Sequence, residues 1–126
     1  MRVINTVIHV KRASLVNHML KGNFQMFPIY TKNIEKNDDN NYTLTLNFSV
    51  LNTKEKPFPI DLTVSVAGVF TFEPGTPENA IEDFLEIPAV QIIYPHLRSL
   101  VSSLTASSYI QPILLPLVDA RVFQSV

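Results

Sequence analysis

The chain has 126 residues, 17% of them charged, a net charge of −1 and no cysteine, so it suits one domain over 1–126 and excludes disulfides, thiolate metal sites and cysteine nucleophiles. The charged fraction lies below the roughly 25% of ordinary soluble domains, which points to extra surface buried between subunits. Residues 1–36 carry six bases (Arg2, Lys11, Arg12, Lys21, Lys32, Lys36) and one acid, while 37–97 carry two bases and nine acids; the bases form no tight patch, so nucleic acid is excluded as a partner.

Lys11 and Arg12 break the first apolar run too early for a signal peptide, which leaves the chain in a reducing cytoplasm as the expectation. Two β-rich segments come next, 4–16 and 24–34, with "NHMLKGN" between them and "EKNDDNN" as a polar turn after them. Residues 42–50 alternate strictly: Tyr42, Leu44, Leu46, Phe48 and Val50 share one face, and Thr43, Thr45, Asn47 and Ser49 the other. That is the pattern of a half-buried strand. Residues 58–72 continue it after the polar "NTKEKP", giving a long antiparallel hairpin. Gly68 marks a bulge, a close backbone approach or a plain strand glycine.

The period then changes. Thr76 is the expected cap of a helix beginning at Pro77, with Glu78 in its first turn and Ile81, Phe84 and Leu85 as its apolar stripe. From about Val90 a main helix carries Ile93, Leu97, Leu100, Val101 and Leu104 on one face, with Pro95 near its first turn. Residues 99–118 lack Asp, Glu, Lys and Arg, but five serines, Pro112 and Pro116 argue against a membrane span. "SSYIQPILLPL" is an apolar loop, and 118–126 suffice for two final helical turns.

No constellation carries chemistry. His9, His18 and His96 have no metal-ligand spacing, Glu78, Glu82, Asp83 and Glu86 fit a solvated helix face, and three glycines make no phosphate loop. No catalytic residue, metal or cofactor is expected. The unusual feature is apolar surface in a loop, at Tyr109, Ile110, Ile113, Leu114, Leu115 and Leu117, which marks either an interface or groove, or a lid on the chain's own core.

"VAGVFTF", the helix signal after Pro77, "IIYPHLRSLVSSL", "LLPL" and "DARVF" stand in the order found in the SecB protein-export chaperone family, which the chain resembles over about Tyr42 to Phe123. Ile93, Tyr94, Pro95, His96 and Arg98 match that family's LFPYxR motif, and Gly68, Val69 and Phe70 its strand end. The resemblance implies an α+β fold, a four-stranded antiparallel sheet with helices packed on one face, assembled as a dimer of dimers. The N-terminus fits best with 4–18 as first strand and 24–34 as second; the alternative register makes 24–34 the first strand and deletes the second.

For function, the resemblance implies an ATP-independent, non-enzymatic holdase for unfolded or extended polypeptides. Its groove is expected at Phe27, Ile29, Tyr109, Ile110, Ile113, Leu114 and Phe123, on the second strand, crossover loop and last helix, with the anionic middle attracting basic segments. Its oligomer interface is expected at Ile93, Leu97, Leu100, Val101 and Leu104. The SecA motor or a toxin–antitoxin partner are further candidates, the latter as one dedicated partner in an antitoxin-linked or phage-encoded protein. Two departures bear on this choice. The family's glycine-rich crossover is replaced by Ser107, Ser108, Tyr109, Ile110 and Gln111, and the sequence stops at Val126, before the polar tail that contacts SecA in proteobacterial members.

Overall fold

The alternating faces of 42–50 need an apolar layer on one side only, and helices supply it. The computed structural model describes residues 2–126. Its elements are β1 (Val3–Asn17), β2 (Ile29–Asp38), β3 (Asn41–Val50), β4 (Ile60–Phe72), α1 (Glu78–Glu86), α2 (Pro88–Ser107), a 3-10 turn (Ala120–Val122) and β5 (Gln124–Ser125). The sheet order is β1-β4-β3-β2-β5. The first four strands pair antiparallel, and β5 adds a short parallel edge that sets Gln124 against Thr31 and Ser125 against Lys32. The sheet therefore has five strands where four were expected.

The core lies between this sheet and the helices. Leu44, Leu46, Phe48, Leu62, Val64 and Phe70 are buried from the sheet side, and Ile81, Leu85, Ile93, Leu97 and Val101 from the helices. Phe84 bridges the two layers edge-on, 5.4 Å from Phe70 and 5.6 Å from Phe72 between ring centroids. Gly68 is a close approach. The register runs through it unshifted to Leu44 and Ile8, and a Cβ there would lie 2.8 Å from Ile93 Cδ1.

Several expected boundaries shift for local reasons. Residues 24–28 stay outside β2, where Pro28 offers no ladder donor. β2 instead runs on through most of the polar 35–41 stretch, because Glu35, Lys36 and Asp38 pair with Thr43, Tyr42 and Asn41. The turn shrinks to Asp39 and Asn40, with Asn40 in the left-handed region at φ 63° that Asn tolerates. β4 starts at Ile60 rather than Phe58, after Pro59. Thr76 does not cap α1: its hydroxyl donates to the Glu73 carbonyl, and Pro77 is the residue before the helix.

α2 begins earlier than expected, with Pro88 at its first position, so Pro95 sits in the helix interior rather than in the first turn. Its missing N–H deprives the Gln91 carbonyl of a partner, but Gln91 and Pro95 both face solvent, where water replaces the bond. The two helical turns expected at the end are one 3-10 turn, started by Asp119 Oδ1 accepting from the Arg121 N–H at 2.9 Å. Extended backbone then carries Phe123 into the core and 124–125 onto β2. No helix among the described residues is long and apolar enough to cross a membrane.

Candidate functional site

A loop rich in Pro and large apolar residues holds its shape only if something fastens it, since it has no ladder of its own. Here α2 does so. Tyr94 Oη donates to the Pro116 carbonyl at 2.6 Å, Arg98 Nε to the Leu115 carbonyl at 2.9 Å, and Thr105 Oγ1 accepts from the Ile113 N–H at 2.9 Å. Residues 94, 98 and 105 lie four and seven apart, on one helical face. Burial, and secondarily the neighbouring Tyr30 phenol, push the Tyr94 hydroxyl up to about 12, which keeps it a neutral donor.

The fastened loop sorts its side chains. Leu115 is buried and Ile110 and Ile113 pack against the core. Tyr109, Leu114 and Leu117 point out, 99%, 77% and 85% exposed. Tyr109 also adopts φ 60°, a left-handed conformation that bulky residues rarely take. It occupies the crossover where the sequence resemblance leads one to expect glycine.

One apolar pocket of about 290 Å³ opens beside this loop, and a second of about the same volume adjoins it. The first is walled by Phe58, Pro59 and Ile60 on one side and Ile110, Pro112 and Ile113 on the other. The second lies between the 25–29 stretch and the 50–58 stretch, with Met26, Phe27, Ile29, Leu51 and Phe58 in its lining. Phe58 belongs to both and divides them. Lys56 is the one charged residue in either lining, its Nζ 5.0 Å from the Phe27 ring centroid. The acids Glu78, Glu82, Asp83 and Glu86 stand on the exposed side of α1 and line neither pocket.

Of the residues expected to form a groove, Ile110 and Ile113 line the first pocket and Phe27 and Ile29 the second. Leu114 lines a different cleft, against Pro95, Arg98 and Ser102, and Tyr109 lines none of these. Phe123 is 2% exposed, edge-on to Tyr30 at 5.3 Å and to Tyr94 at 5.9 Å. It packs in the core and lines neither pocket. Sequence reasoning missed Phe58, although "PFP", an aromatic between two prolines in a polar connection, was a usable signal. Among the residues expected at an oligomer interface, Ile93, Leu97 and Val101 are buried in the chain's own core, while Leu100 and Leu104 keep partial exposure. Leu100 borders a cleft of about 400 Å³ with Ile8, Val10 and His96, between α2 and β1.

The geometry has counterparts. The family model "Preprotein translocase subunit SecB" matches residues 11–125. An uncharacterised protein of Methanocaldococcus jannaschii is 32% identical over 88 residues, 67% of this chain and 54% of that one. A protein-export protein SecB of Anaplasma marginale is 27% identical over 78 residues, 62% of this chain and 45% of that one. The chain thus spans about half the length of these relatives. A SecB-like chaperone of Mycobacterium tuberculosis, solved with a ChAD peptide from an antitoxin, has the same fold, with a TM-score of 0.74 at 11% identity over 94% of this chain and 90% of that one.

Proposed function

The chain belongs to the SecB family, and from that premise we propose that it is an ATP-independent, non-enzymatic holdase that keeps unfolded or extended polypeptides soluble in the cytoplasm. The observation that carries this reading is the pair of apolar pockets divided by Phe58. Each is large enough for one bulky apolar side chain, and they adjoin through the shared Phe58, as binding neighbouring side chains of an extended chain requires. A captured segment gains about 25 cal/mol per Å² of apolar surface removed from water, without any bond being made or broken. Attraction of basic client segments to acidic surface would act at a distance from the pockets, through the α1 acids.

The test is suppression of aggregation of a urea-diluted client, with Ile113→Asp as the groove variant. Protection by the unmodified chain and its loss in the variant support the reading. Equal aggregation with and without the unmodified chain overturns it. A second reading, one dedicated folded or antitoxin-type partner, is favoured by the fold shared with a chaperone bound to an antitoxin peptide. A pull-down decides between them: many unrelated clients favour the first, and one stoichiometric partner, SecA included, the second.

The same proposal extends to self-assembly as a dimer of dimers. β1 pairs only with β4 among the described strands, so its outer edge has free N–H and C=O groups that a second copy can pair. Leu100 and Leu104 on α2 supply partly exposed apolar contact beside it.

A further inference from the structure

We infer that the Asp61 carboxylate is a positioning residue of the groove, a side-chain tie between the two connections that wall the second pocket, and that through Asn52 it sets Phe58 between the two pockets; this rests on the groove reading above. The two walls come from separate connections, 18–28 after β1 and 51–59 between β3 and β4, and neither has regular secondary structure. One oxygen of the same side chain meets each connection near its start, and Lys56 Nζ over the Phe27 ring joins the two again at the pocket. Asp61 Oδ2 lies 2.8 Å from His18 Nε2, at the start of the first connection, and Asp61 Oδ1 accepts the Asn52 N–H at 2.7 Å, at the start of the second. The His18 N–H donates to the Pro59 carbonyl at 2.9 Å, so the connections also meet through backbone.

From Asn52 the constraint is passed on. Its Oδ1 accepts the Phe58 N–H at 3.1 Å, which fixes the residue shared by both pockets. The intervening turn closes on itself, with the Thr53 N–H donating to the Lys56 carbonyl at 3.2 Å and the Lys56 N–H to Thr53 Oγ1 at 3.0 Å. The 51–59 connection is therefore one hydrogen-bonded unit with a single side-chain anchor on the sheet. Asp61 stays ionised to carry both bonds: the Asn52 N–H first, and His18 second, hold its carboxyl below the usual carboxylate range. A pocket wall that is already ordered spares a ligand the cost of ordering it, so the anchor acts on affinity more than on the distant core.

The experiment titrates reduced, carboxymethylated α-lactalbumin, a permanently unfolded probe, into the full chain and its variants, and follows amide hydrogen exchange in the free protein. Asp61→Ala is expected to weaken binding about tenfold, with faster exchange at the Asn52 and Phe58 amides and unchanged exchange in β3. Asp61→Asn keeps an acceptor for Asn52 and is expected to restore that amide's protection and most of the affinity, a rescue that loss of generic packing would not give. Asn52→Ala, which leaves Asp61 in place, is expected to free Phe58 alone and weaken binding by a smaller factor; it also carries the test if Asp61→Ala does not fold. Unchanged affinity in Asp61→Ala or Asn52→Ala, alongside weakened binding in Phe58→Ala, overturns the anchor and leaves the groove intact. Unchanged affinity in Phe58→Ala overturns the groove reading and the anchor together.

Discussion

β3 and β1 are both long strands in one sheet, yet every second side chain of β3 is buried and no residue of β1 is. The difference lies in neighbours. β3 sits between β4 and β2 with α2 across one face, whereas β1 pairs with β4 alone among the described strands and packs less closely against α2 than β3 or β4 does. Ile4, Val7, Val10 and Val16 are consequently about half exposed. Two strands of comparable β-propensity thus do different work: β3 holds the chain together, and β1 presents an edge.

Substitutions can break this contrast. The largest effect is expected in the centre, where Phe48→Ala removes a fully buried ring packed against Tyr30 and should cost about 3–5 kcal/mol in chemical denaturation. Next comes Gly68→Ala. The new methyl group must displace Ile93 or Phe70 within the core, an overpacking cost of about 1–3 kcal/mol; a thermal midpoint equal to that of the unmodified chain would contradict the close approach.

Tyr94→Phe probes the fastening of the crossover loop and should cost about 1 kcal/mol. Because the folded Tyr94 hydroxyl is raised from 10.0 to about 12, its share of stability is complete below pH 10 and is lost as pH rises toward 12, where the unfolded chain has already released its proton. Melting curves across that window should decline more steeply for the unmodified chain than for the phenylalanine variant. At the periphery the sign reverses. Tyr109→Gly relieves a left-handed φ with no buried contact to lose, so stability should rise by about 0.5–1 kcal/mol even as the flexible glycine offsets part of the gain.

The smallest effect on folding sharpens the contrast most. Val10 is about half exposed at the rim of the α2–β1 cleft in the single chain, and Val10→Asp should change its stability by only about 0.5 kcal/mol. If the β1 edge pairs with a second copy, the same change should lower the mass seen by light scattering toward the 14.2 kDa of one chain. A mass unaltered by the charge would remove β1 from the interface.

Much of the fold was legible because periodicity records which side of an element is dry. The faces of 42–50 and of the strand after it, the stripe on α2 and the order of strands before helices all follow from that rule. Of the residues expected to form a groove, Ile110 and Ile113 line one pocket and Phe27 and Ile29 the other, as apolar residues in stretches that cannot be helical. Periodicity marks Phe58 only as the first residue of an alternating strand because its place between the two pockets comes from the connection it occupies, and Phe123 is expected in the groove because nothing local says that an aromatic near the terminus turns inward.

By itself, then, the sequence determined which residues alternate, where the chain must break at Pro and Gly, and that no cysteine chemistry is available. Only the tertiary structure decided that Pro95 lies in the interior of its helix rather than the first turn, that the last residues extend onto β2, and that Asp61 joins two connections whose contact partners lie 9 and 43 positions away. The physical reason is range. Periodicity and propensity act over a turn or a few residues, whereas ends of elements, edges and loop anchors are set by groups far apart in sequence competing for the same hydrogen bonds and the same buried space.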